Sequence, residues 1–101
     1  MKAQLEILVV GTNDKILEVV LRLLNKNEEW HATGVSNAED VLIQCNAKEY
    51  QVLLIGAGLK DEIEKKLSTE VKNIYPSIHI IPHYGGGSGL LFAEIYLALA
   101  K

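Results

Sequence analysis

The chain has 101 residues, 49% of them apolar, and a formal net charge of −3. That size fits one small domain, residues 1–101, with a modest core and no output domain attached. The acidic balance leaves no electrostatic footprint for nucleic acid or an anionic membrane, and the lone cysteine, Cys45, excludes an internal disulfide.

In chain order, the apolar run Leu5 to Val10 reads as a buried strand ended by Gly11. Thr12-Asn13-Asp14 offers cap chemistry for a helix whose apolar positions are Ile16, Val20, Leu23 and Leu24, with Val19 beside them. Glu18 and Arg22 stand four apart on its wet side, and the helix is expected to end near Asn25-Lys26-Asn27. Trp30 to Val35 is the second strand. Ser36 followed by Glu39 has the capping-box pattern for a second helix with Ala38, Val41, Leu42 and Cys45 on one face.

Val52 to Ile55 is the third and most apolar strand, closed by Gly56-Ala57-Gly58. The third helix carries Ile63, Leu67, Val71 and Ile74, with Asp61–Lys65 and Glu62–Lys66 as outer ion pairs, and stops at Tyr75-Pro76. Ile78 to Ile81 is the fourth strand, and the glycine run from Gly85 leads to a last helix from about Ser88. Strand-helix units repeated four times predict a flavodoxin-like, three-layer α/β/α domain with a four-stranded parallel sheet in the order 2-1-3-4.

The segments Ile7-Leu8-Val9-Val10, Leu21-Arg22-Leu23-Leu24, Ser36 to Leu42, Tyr50 to Ile55 and Tyr75 to Ile81 follow one another at the spacing of a response-regulator receiver, which the chain resembles over about positions 5 to 85. The resemblance implies two acidic residues after the first strand to hold magnesium, and Gly11 and Thr12 stand there. It implies a phospho-acceptor aspartate at the end of the third strand, where Gly56 stands. It implies a hydroxyl residue after the fourth strand, where the chain reads Pro82-His83. The lysine that follows a receiver's fifth strand has no counterpart, so relative to a full receiver the chain reads as truncated. Magnesium takes oxygen ligands, usually carboxylates, which these positions do not offer. The expectation is a degenerate receiver that takes up no phosphate.

Two features remain as candidate working parts. Glycines follow strands one, three and four, at the sheet end where ligands of open α/β folds bind. An anion there would meet Gly11, Thr12, Asn13, Gly56, His83, Gly85, Gly86, Gly87 and Ser88. The competing reading is that these glycines simply make turns. The last helix, 90–100, is apolar on almost every side, broken by Glu94. Its residues Leu91, Phe92, Ile95, Tyr96 and Leu99 are expected at a homodimer interface, together with an exposed edge of the fourth strand.

The histidines show no metal-ligand spacing, no nucleophile stands beside His83, and no cofactor or metal is predicted. No run reaches the roughly 20 apolar residues of a membrane span, and no secretory pattern follows Met1, so a soluble, cytoplasmic protein is expected. The reading is a non-enzymatic signalling domain acting by protein contact, as a homodimer or with another signalling protein. The alternative is a sensor of a small anionic ligand.

Overall fold

A computed structural model describes residues 5–56, 59–83 and Ile95. The elements are β1 (Leu5–Val10), α1 (Asp14–Asn25), β2 (Trp30–Val35), α2 (Ala38–Ala47), β3 (Val52–Gly56), α3 (Asp61–Ile74) and β4 (His79–His83). The four strands form a parallel sheet in the order β2-β1-β3-β4, the predicted topology.

Alternation along the strands sorts the core onto two faces. Ile7, Val9, Trp30, Ala32, Val52, Leu54 and Ile81 meet Leu24 of α1 on one face. Leu8, Val10, Leu53 and Ile55 meet Val41 and Cys45 of α2 and Leu67 and Val71 of α3 on the other. Ile95 is helical, fully buried, and belongs to the α1 face.

α1 is capped by Asn13, whose Oδ1 accepts the N–H groups of Lys15 and Ile16 at 3.0 and 3.1 Å. The Glu18–Arg22 pair forms at 3.1 Å. Of the predicted face, Val20, Leu23 and Leu24 pack on the core, joined by Leu17 and Leu21, which the spacing left out. Leu17, Leu21 and Leu24 look at the sheet, while Ile16 and Val19 are 60% and 51% exposed. Asn25, the last residue of α1, ties the helix to β2 by two hydrogen bonds with the backbone of Ala32. Contact is closest at Gly34, where a Cβ would lie 2.6 Å from Leu21 Cδ1 and 3.2 Å from Leu17 Cγ.

Three further expectations need correction. The cap of α2 is Asn37 rather than Ser36: Asn37 Oδ1 accepts from Asp40 N–H at 2.8 Å and its amide donates to the Asp40 carboxylate at 3.0 Å. On α3, Lys66 reaches Glu70 at 4.0 Å rather than Glu62, and Ile63 is largely exposed at the first turn. β4 runs two residues further than predicted, so Pro82 and His83 lie inside the strand. His79 N–H donates to Gln51 O at 3.0 Å, so by alternation the backbones of residues 79, 81 and 83 face β3. Pro82 thus falls at an outward position, where its missing N–H breaks no ladder bond.

Candidate functional site at the carboxyl end of the sheet

The carboxyl ends of β1, β3 and β4 bring three of the predicted positions together. Gly11 prolongs β1, donating its N–H to Val35 O at 3.1 Å, and is buried. Gly56 ends β3 beside it; a Cβ on Gly56 would lie 3.2 Å from Val10 O and 3.7 Å from Gly11 Cα. His83 is the register partner of Gly56 on β4. Thr12 and Asn13 follow, both exposed. Asn13 is less available to a ligand than predicted, because its carbonyl oxygen already holds two backbone N–H groups of the α1 turn. Gly85, Gly86, Gly87 and Ser88 lie outside the described residues.

The chemistry of this junction is set by what the side chains lack. Gly11, Thr12 and Gly56 present two hydrogens and one hydroxyl where three carboxylates are needed to hold a divalent cation and accept a phosphoryl group. Asp14, the nearest acid along the chain, is exposed in the first turn of α1. Among the described residues no group of three or more His, Cys, Asp or Glu could hold a metal ion. The residues present do not fit magnesium, and no phosphoryl step runs through them.

The opposite end of the sheet carries an ion cluster that the sequence reading missed. Glu6 is the register partner of His31 across β1 and β2, and His31 Nδ1 lies 2.8 Å from Glu6 Oε1. Lys48 Nζ, just past α2, approaches the same oxygen to 2.9 Å and lies 5.9 Å from the Tyr50 ring centroid. Burial pushes the Glu6 carboxyl up, but the hydrogen bonds from Lys48 and His31 and their charges outweigh it, so its pKa falls below the ordinary value. Gln51 completes the junction: its Oε1 accepts from Glu6 N–H at 2.7 Å, and its own N–H donates to Glu6 O at 3.0 Å. Tyr75 donates its hydroxyl to Cys45 O at 2.8 Å, tying the end of α3 to α2. The available sequence signal was a glutamate inside an apolar strand, next to an apolar strand interrupted by a histidine.

Of the predicted interface residues, Ile95 is corrected. It has no exposed surface and belongs to the buried cluster that includes Ile7, Leu24 and Ile81, so it offers no surface to a second copy. Leu91, Phe92, Tyr96 and Leu99 lie outside the described residues. Cys45 is a buried core residue whose thiol is pushed up by desolvation, the opposite of a reactive thiolate. No helix among the described residues is long and apolar enough to cross a membrane.

No protein-family model matches the sequence, and no curated protein matches it. Solved structures do match in shape. The signal receiver domain of an HD domain-containing protein from Pseudomonas fluorescens Pf-5 superposes with a TM-score of 0.83 at 18% identity, covering 96% of this chain and 95% of that one. A response regulator receiver protein from Pseudomonas putida gives 0.72 at 16% identity, over 97% and 82%. A CheY-like receiver domain from Methylobacillus flagellatus gives 0.68 at 15% identity, over 95% and 99%. The likeness at these identities is one of fold: the chain has the CheY-like, flavodoxin-type architecture of receiver domains.

Proposed function

We propose that this chain is a receiver-like signalling domain that accepts no phosphoryl group, performs no catalysis and works by contact with other proteins. The observation that carries the reading is the junction of β1 and β3: a receiver sheet whose carboxyl ends meet in Gly11, Thr12 and Gly56, with no carboxylate among them. A fold shared with receivers does not transmit their chemistry, because chemistry resides in the side chains at the site. Treatment with acetyl phosphate and magnesium, followed by intact-mass measurement, tests the reading. The expected result is an unchanged mass. A gain of one phosphoryl group that hydroxylamine removes, as it does from an acyl phosphate, overturns it.

The contact proposed is a homodimer formed through the last helix. Support comes from the apolar character of 90–100, of which Ile95 alone among the described residues is accounted for by the core. Leu91 and Leu99 stand four residues either side of Ile95 in the sequence and share its helical face by spacing. The proposed contact therefore centres on Phe92 and Tyr96. The expected outcome by multi-angle light scattering is a dimer for the wild type and a folded monomer for the Phe92→Glu, Tyr96→Glu double variant. A wild-type monomer at high micromolar concentration removes the dimer while leaving the phosphate-free reading standing.

A further inference from the structure

The two edges of the sheet are finished in different ways, and neither finish is a property of the strand pattern. On β2, the bonds from Leu5 N–H to Glu29 O at 2.7 Å and from Gly11 N–H to Val35 O at 3.1 Å show that the odd-numbered backbones face β1. The backbones of Trp30, Ala32 and Gly34 therefore face outward, the row to which another strand would bond.

Two of these three positions are occupied from the α1–β2 connection. Asn25 Oδ1 accepts from Ala32 N–H at 2.9 Å, and Asn25 Nδ2 donates to Ala32 O at 3.3 Å. A side-chain amide thus takes both places that a neighbouring backbone amide would take. Trp30 N–H donates to Asn27 O at 3.0 Å. At the other edge the outward positions of β4 are Ile80 and Pro82. Proline has no N–H, so Ile80 supplies the one outward donor of the five-residue strand.

We infer that Asn25 is an edge-sealing residue: its amide stands in for an added strand at Ala32 and, with Asn27 at Trp30, hinders strand addition by a second copy at the β2 edge. This role is independent of whether the site at Gly56 takes phosphate.

Hydrogen exchange on the wild type decides the assignment without a variant. The outward amide of Ala32 is expected to be protected and the outward amide of Gly34 to exchange faster. Equal exchange at the two positions overturns the assignment. Asn25→Ala is expected to lower protection at Ala32 by roughly tenfold, the order expected for the loss of one hydrogen bond, with smaller changes at the inward amides of His31 and Thr33. It should also bring on thioflavin-positive self-association that Gly34→Ala, a destabilised variant with the amide in place, does not show. Association of both variants alike attributes the effect to lost stability and overturns the sealing role.

Discussion

Glu6 shows how one residue can be unreadable in sequence and consequential in structure. Its side chain is 17% exposed, and it sits among one strand neighbour, His31, and one residue beyond α2, Lys48, that is distant in sequence. Glu6→Gln keeps the shape and removes the charge. Because Lys48 and His31 are themselves about half exposed, the expected loss is about 1 kcal/mol in urea denaturation rather than the larger cost of a buried pair. The pH dependence has a definite sign. The folded carboxyl titrates below the unfolded value, so its contribution is complete above the unfolded value, near 4.5, and is lost as pH falls through the lowered folded value. The stability gap between wild type and Glu6→Gln should therefore close in that acid range; a gap that persists at still lower pH argues against the charge as its cause.

Caps were partly legible at this scale. Thr12-Asn13-Asp14 reads as the cap region of α1, and Asn13 is the one of the three that caps it. At Ser36-Asn37 two good caps stand side by side, and the choice fell to Asn37, whose amide both accepts from Asp40 N–H and donates to the Asp40 carboxylate.

The elements themselves were legible because each carries its own period, but their rotations were not. α1 has apolar residues on more than half its circumference, so spacing alone leaves several inward faces open. In the structure Leu17, Val20, Leu21, Leu23 and Leu24 all pack on the core, and the helix is tied to β2 by Asn25 on Ala32 and by its close approach to Gly34. Gly34 is required there by space. Gly34→Ala would place a methyl 2.6 Å from Leu21 Cδ1 and 3.2 Å from Leu17 Cγ, and although the Leu21 methyl can move, Leu17 Cγ is held by its own helix. The expected cost is about 1–3 kcal/mol, in the range of core overpacking, read as a lower urea midpoint with an unchanged slope. A neutral result would mean that α1 lifts off β2 at little cost. β4 was predicted short for a related reason. The apolar run ends at Ile81, but the strand continues through Pro82, which on an outward edge position costs the ladder nothing.

For the whole molecule, the order β2-β1-β3-β4 followed from alternating strand-helix units and right-handed crossovers, rules that depend on no single residue. The missing acids were equally plain, since identity at a position is what a sequence states directly. What escaped was placement across the sheet: the Glu6 cluster at its amino end, and the burial of Ile95 on the face that carries α1. Both depend on residues far apart in the chain, where periodicity carries no information.

The two glycines at the carboxyl end differ in the space around them. Gly11 has room for a side chain, its nearest neighbour being Leu17 Cδ1 at 4.0 Å from a Cβ placed there, so an aspartate fits at that position by simple replacement. Gly56 differs, because the atom it would press on, Val10 O at 3.2 Å, is backbone of the central strand and cannot swing aside as a side chain would. Gly56→Asp is expected to lower stability by about 1–3 kcal/mol and still to gain no phosphoryl group from acetyl phosphate with magnesium. A stable, phosphorylated variant would show instead that β1 and β3 yield. Any side chain at Gly56 therefore asks the backbone of the central strand to give by a few tenths of an ångström, whereas one at Gly11 asks nothing of its neighbours.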